Sequence, residues 1–327
     1  MTSLLDTLNT MVVDVTYRCN ATCRYCQWGN KSNPKGVHMG LKEVLIPEQT
    51  IRALGVQRVV LSGGEPRIHP QLETILQHYG RLVESVIVIT NGYGLDEKEL
   101  HRLLDNGATG VTVSLDSLDP ETALITRDTP KQLLEQVISN LERISDLPRE
   151  FELGINSVAS HPTANLKTVE RILKFGRSLG VDFVKFQPVF DDGHVSRSAP
   201  DLLLTERDVP GLLRVAEAIP SLDSPLTNPP SFWKDIARLI SGEALAPESC
   251  GLGPRQAIAT AGKLSICYWV DSTSFGDSFQ SISSEEVEAV RAKFESVKLG
   301  CKVGSHCFCT QNLSHEWIAV ESVHDQL

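Results

Sequence analysis

From residue 11 to about residue 188, short and nearly all-apolar runs alternate with longer stretches whose apolar positions recur every three to four residues. The runs at 11–15, 58–62, 85–89, 110–115, 151–158 and 181–187 are rich in β-branched residues. That pattern predicts parallel strands covered on both faces. Between them, 71–79, 97–106, 131–144 and 165–179 read as amphipathic helices, and a shorter helix-like piece lies near 47–54. Asp96, followed by Glu97 and Glu99, fits a helix N-cap. Six strands alternating with five or six helices predict an α/β fold, a partial (β/α)6 TIM-like barrel smaller than the closed eightfold form.

The pattern changes after residue 190. Residues 191–246 are rich in Pro, Asp and Ser, with helical stretches near 205–218 and 232–240. They read as a helical linker that caps the barrel mouth. In residues 247–327, two short alternating runs flank Ala261-Gly262 and predict a β-hairpin, and 284–294 is helix-like. The expected organisation is therefore a barrel over 1–190, the linker over 191–246 and a small α+β domain over 247–327.

Composition narrows the function. The 327 residues exceed one average domain and suit a barrel with an appendage. Hydrophobic content of 41% and charged content of 22% are those of an ordinary globular protein. A net charge of −10, with no Lys/Arg cluster, argues against a nucleic-acid partner. No apolar run approaches the ~20 residues of a membrane span. The first basic residue is Arg18, so the charged start of a signal peptide is missing. A cytoplasmic protein with no membrane partner is expected. Eight cysteines in such a chain point to metal or redox chemistry rather than disulfides.

Three of the eight, Cys19, Cys23 and Cys26, form a C-x3-C-x2-C triplet directly after the first predicted strand. Thiolate sulfur favours iron–sulfur clusters, zinc and copper(I). Three thiolates are one short of the set that usually closes a [4Fe–4S] cluster, which leaves one iron open to a cofactor or substrate. Zinc is the alternative, but its ligands usually come as C-x2-4-C pairs, which this spacing matches poorly. The triplet, with aromatic Tyr25 just before its third cysteine, resembles the signature of the radical S-adenosylmethionine (SAM) enzymes. The count of strands and helices matches that family's core. The resemblance implies a cluster whose unligated iron chelates the amino and carboxylate groups of SAM. Cleavage of SAM then yields methionine and a 5′-deoxyadenosyl radical, which takes a hydrogen atom from the substrate.

The same resemblance assigns SAM contacts. Gly63, Gly64 and Glu65, in Ser62-Gly63-Gly64-Glu65-Pro66, match the motif that contacts the SAM amino group. Their glycines permit close backbone approach. Asn91 ends the third strand, and Ser114 and Asp116 end the fourth, where ligands of α/β sheets bind. Ser114 and Asp116 are placed to reach the ribose, with a helix cap as the other reading of Asp116. Arg127 is a candidate for the SAM carboxylate or an ordinary surface arginine. Asn156 and Gln187 are candidates for ribose or adenine, or for backbone groups of the barrel. Tyr25 is expected to contact adenine through its backbone. His69, Lys185, Asp192, His194 and Arg197 lie near strand ends or in the linker and are candidates for an acid, a base or a substrate anchor.

The other five cysteines are Cys250, Cys267, Cys301, Cys307 and Cys309. The spacing from Cys250 through Gly262 to Cys267 resembles the start of a SPASM or shortened twitch domain, which carries an auxiliary [4Fe–4S] cluster. The end departs from the full motif, since C-x5-C-x-C stands where a longer run is expected. One auxiliary cluster would use four of these five thiols, and a structural zinc is the alternative. The reading is an enzyme that oxidises a small metabolite in natural-product or cofactor assembly, with the auxiliary cluster as electron acceptor. Peptide epimerisation or cross-linking is the alternative outcome, and a metal-binding scaffold without catalysis is the non-enzyme alternative. The ten residues before the first strand leave no room for a leader-binding domain, which tilts the expectation towards a small molecule over a short peptide. A flavodoxin- or ferredoxin-like reductase is the expected electron partner.

Overall fold

The computed structural model describes residues 9–28, 35–189, 191, 193–222, 224–243, 256–260, 263–265, 282–283, 285–289 and 292. Nine strands form one sheet: β1 (Asn9–Thr16), β2 (Val56–Gly63), β3 (Ser85–Thr90), β4 (Gly110–Ser114), β5 (Glu152–Ala159), β6 (Phe183–Pro188), β7 (Leu226–Thr227), β8 (Gln256–Thr260) and β9 (Lys263–Ser265). Their spatial order is β7-β6-β5-β4-β3-β2-β1-β8-β9. Every pairing is parallel except that of β8 with β9. Among the described residues edges remain at β7 and β9, so this sheet is open, as a partial barrel requires.

The helices are α1 (Leu41–Val44), α2 (Glu48–Leu54), α3 (Leu72–Tyr79), α4 (Glu97–Asp105), α5 (Pro120–Arg127), α6 (Lys131–Ser145), α7 (Leu166–Ser178), α8 (Val195–Ser198), α9 (Val209–Ala218) and α10 (Pro230–Ile240). The six predicted barrel strands and their main helices are present, displaced by a residue or two at their ends. The Asp96 side chain accepts from the Glu99 backbone N–H, as an N-cap does. Helices α1, α5 and α8 were not predicted. The signal for α5 is Asp119-Pro120: the Asp119 side chain accepts from Thr122 N–H, and Pro120 opens the helix.

Alternate strand residues divide between two environments. Leu61, Val88, Val113, Leu153, Ile155 and Val184 join the buried core beneath the helices. The opposite, inner face carries half-exposed Arg58, Val60, Ser62, Ile89, Ser114, Asn156, Phe183, Lys185 and Gln187. The amino-terminal part of this face is filled by an Arg58–Glu152 ion pair reaching from β2 to β5. Phe183 lies over Gly154, where a Cβ would stand 2.2 Å from the ring. The open part of the inner face is therefore at the carboxyl ends of the strands, where ligands of parallel sheets bind.

Within 191–246, α9 and α10 join the helix layer beside α7, and β7 extends the sheet past β6. Trp233, fully buried, packs against Phe186 of β6 and Phe232, with ring centroids 5.1 and 5.3 Å away. Trp233→Ala is expected to cost about 3–5 kcal/mol, the range for truncating a buried aromatic. Chemical unfolding followed by circular dichroism measures this, and an unchanged midpoint would mean that α10 is not docked on β6. The predicted hairpin is present as β8–β9, with Ile258 opposite Ser265 and Thr260 opposite Lys263. Its first strand pairs in parallel with β1, Met11 opposite Ala257, so the hairpin continues the barrel's own sheet.

Candidate active site

The loop after β1 carries Cys19, Cys23 and Cys26; Cys23 is buried and the other two are half-buried. Three neighbours hold this loop. The first is the turn after β2. Gly64 N–H donates to Thr16 O at 2.7 Å and Glu65 N–H donates to Arg18 O at 2.9 Å. A Cβ on Gly64 would lie 2.0 Å from Arg18 O, and one on Gly63, whose φ is +114°, would lie 2.2 Å from Thr16 O. These glycines are needed because the cysteine loop itself presses on them, whatever they also offer to a ligand.

The Glu65 carboxylate is buried. It accepts from Thr90 Oγ1 at 2.9 Å, Asn91 N–H at 2.8 Å and Arg67 N–H at 3.2 Å. Burial raises its pKa, and these hydrogen bonds act in the opposite direction. Glu65 thus fastens the end of β3. Asn91 is the second neighbour: its side-chain amide donates to Asn20 Oδ1 at 2.7 Å and lies 3.9 Å from Cys19 Sγ.

The third neighbour is the end of α5. Arg24 N–H donates to Thr126 O at 3.0 Å, its guanidinium to Ile125 O at 2.9 Å, and Thr22 Oγ1 to Asp128 Oδ2 at 2.9 Å. Tyr25 points its hydroxyl inward, donating to Asp116 Oδ2 at 2.6 Å and accepting from Arg127 Nη1 at 2.9 Å. The other Asp116 oxygen accepts from Val158 N–H at 2.9 Å and stands 3.5 Å from Arg127 Nη1. The Asp116 side chain has no exposed surface. It caps no helix, a role taken by Asp119. Arg127 is buried rather than on the surface.

Ser114 and Asn156 are register partners on β4 and β5, and Lys185 on β6 is the partner of Asn156. The three stand in one row across the inner face, with Gln187 two residues further along β6. His69 is structural: Nε2 donates to Met39 O at 2.9 Å, Nδ1 accepts from Gln71 N–H at 3.1 Å, and burial lowers its pKa. His194 is the N-cap residue of α8 and Arg197 lies within that helix. Asp192, Cys250, Cys267, Cys301, Cys307 and Cys309 lie outside the described residues. Sequence reading missed Thr22, Arg24, Asp128 and Asp201. Arg24 pairs with both Asp201 oxygens at 2.9 and 2.7 Å across 177 residues, and no local pattern signals such a contact.

The donor set suits an iron–sulfur cluster. All three side chains are soft thiols on one short loop. Burial pushes the Cys19 thiol up to about 11 and raises that of Cys23, with Arg127 countering the latter. Bound metal would supply the positive charge that these thiolates need. Among the described residues no three His, Cys, Asp or Glu side chains gather as a single ion requires. A four-iron cluster would offer each of the three thiolates its own iron.

The sequence profile of the radical SAM superfamily matches residues 13–176. A probable GTP 3′,8-cyclase of Methanocaldococcus jannaschii is 27% identical over 57% of this chain, which spans 61% of that relative's length. The GTP 3′,8-cyclase of Ectopseudomonas mendocina is 25% identical over 80% of this chain and 79% of its own. Among solved structures, anSMEcpe with bound AdoMet superposes with a TM-score of 0.63 at 16% identity, covering 97% of this chain and 98% of that one. Streptococcus suis SuiB gives 0.64 at 14% identity, covering 89% and 68%. No helix among the described residues is long and apolar enough to cross a membrane.

Proposed function

This chain belongs to the radical SAM superfamily, and from that premise we propose that Cys19, Cys23 and Cys26 hold a [4Fe–4S] cluster with one iron left for SAM. The observation that carries the reading is the contact between two loops: the Gly63-Gly64-Glu65 turn is hydrogen-bonded to the cysteine loop at the carboxyl end of the sheet. When loaded, the cluster and SAM supply a 5′-deoxyadenosyl radical, while the protein contributes binding, orientation and exclusion of water. Ser114 and Asn156, side by side on the inner face, are the proposed ribose and adenine contacts, with Gln187 beyond them. Gly63, Gly64 and the Tyr25 backbone complete that wall. Val60, Ile89 and Phe183 provide an apolar floor for a small-molecule or short-peptide substrate.

The proposed outcome is net two-electron oxidation of a small metabolite. Four of the five C-terminal thiols would hold an auxiliary cluster that serves as the electron sink. A second reading, ring closure on GTP, is favoured by the match to a named cyclase over most of its length. Anaerobic reconstitution followed by dithionite and SAM tests the class: 5′-deoxyadenosine is expected, and its absence overturns the reading. Adding GTP tests the second reading, since a cyclised nucleotide would replace oxidation as the outcome.

Iron content tests the auxiliary centre. The loaded protein should carry about eight irons per chain, four from each of two clusters. Cys267→Ala should fall to about four while still cleaving SAM, because Cys267 is assigned to the second site. Four irons in the parent protein, with zinc in the tail, would refute the auxiliary cluster.

A further inference from the structure

We propose that Arg127 acts on the cysteine loop rather than on SAM: it is a positioning residue that fixes the turn bearing Cys23 and Cys26 and keeps a buried positive charge there. The proposal rests on the reading of the three cysteines as cluster ligands.

Geometry supports it at two levels. Locally, Arg127 Nη1 donates to the Tyr25 hydroxyl at 2.9 Å and stands 3.5 Å from Asp116 Oδ1. Tyr25 in turn donates to Asp116 at 2.6 Å, and the Val158 N–H anchors the far oxygen. This closes a ring of three side chains in which Tyr25 is the member that belongs to the cysteine loop. Beyond it, Ile125, Thr126, Arg127 and Asp128 each bond to a residue between Thr22 and Tyr25. The end of α5 is therefore a clamp on the segment containing Cys23. Asp128 reaches Thr22 from a left-handed backbone with φ of 54°, a conformation that Asp tolerates better than most residues.

Charge supplies the second argument. A buried guanidinium is costly unless paired, and Asp116 gives it one negative partner. Its hydrogen bond to Tyr25, which lies between Cys23 and Cys26 in the chain, keeps this cation beside the cysteine loop. A cluster held by thiolates becomes more negative when it takes an electron, so a fixed nearby cation stabilises the reduced form and raises the reduction potential. A SAM-carboxylate contact would act only once SAM is bound. A clamp acts before.

The experiment uses the full chain, reconstituted anaerobically without SAM. Iron content and the cluster's midpoint potential, by EPR-monitored redox titration, are compared for the parent, Arg127→Gln, Arg127→Lys and Tyr25→Phe. Arg127→Gln is expected to shift to a more negative potential, with Arg127→Lys returning towards the parent. Tyr25→Phe, which keeps the charge, should hold the parent's potential but lose iron several-fold faster on buffer exchange. If Arg127→Gln folds by circular dichroism yet holds no cluster, the positioning role stands, and Arg127→Lys then reports on the charge. Unchanged potential and iron retention in Arg127→Gln, with weakened SAM binding, would overturn the proposal and make Arg127 a SAM contact. A parent protein that takes up no iron overturns the cluster reading, and this inference with it.

Discussion

Cys26→Ala is expected to release no 5′-deoxyadenosine above the protein-free background and to lose the iron of the N-terminal cluster. Three thiolates already leave one iron open, and removing one of the three leaves two irons without a protein ligand. Alanine offers no donor atom, and Cys19 and Cys23 are each already required. Cys26 is half-buried in the loop rather than part of the core, so the apo variant should keep the parent's circular dichroism spectrum. That separates loss of the cluster from loss of the fold. The measurement is iron content and chromatographic 5′-deoxyadenosine after reconstitution with SAM and dithionite. SAM cleavage at the parent's rate would remove Cys26 from the ligand set.

Gly64→Ala should be damaging in a different way, through the fold of the site. The new methyl would lie 2.0 Å from Arg18 O and 2.6 Å from Arg18 C. Both are backbone atoms, so no side-chain rotation relieves the clash. Either the turn or the cysteine loop must move, and with it the hydrogen bonds Gly64 N–H to Thr16 O and Glu65 N–H to Arg18 O. Overpacking costs about 1–3 kcal/mol, and each lost hydrogen bond about 1 kcal/mol. An expected loss of about 3 kcal/mol or more follows, with reduced iron uptake because Cys19 is next to Arg18. Gly40→Ala is the control: its nearest neighbour would be Glu43 Oε2 at 3.4 Å, an ordinary contact. Urea unfolding of the two variants reads the difference. A Gly64→Ala protein with the parent's stability and full iron would mean that the two loops are not held together as described.

The barrel was readable because parallel strands buried on one face and half-buried on the other need apolar, β-branched runs, and helices against them need a repeating apolar stripe. Chain ends of elements were less readable, and α5 was missed, because its one strong signal is the Asp119-Pro120 cap and its interior is short and mixed. The cysteine triplet was legible as metal chemistry from its spacing, and the Gly63-Gly64-Glu65 turn from its resemblance to a family motif. Their roles were only half legible. Glycine in that turn was expected to make room for SAM; that it also makes room for Thr16 and Arg18 was not foreseen. Asp116 caps no helix, and its contacts to Tyr25 and Arg127 were not foreseen.

What the sequence by itself determined is what local periodicity and short spacings encode: the strand and helix order, three thiols on one loop, a hairpin between Cys250 and Cys267. What only the tertiary structure decided is which distant segments meet. Arg127 reaches Tyr25 across 102 residues and Asp201 reaches Arg24 across 177. The hairpin's place beside β1, opposite Met11–Val13, was equally invisible from its own residues. The reason is physical. A hydrogen bond or ion pair between remote segments depends on where the packed core brings their backbones, and the residues that make it carry no local periodicity to announce it.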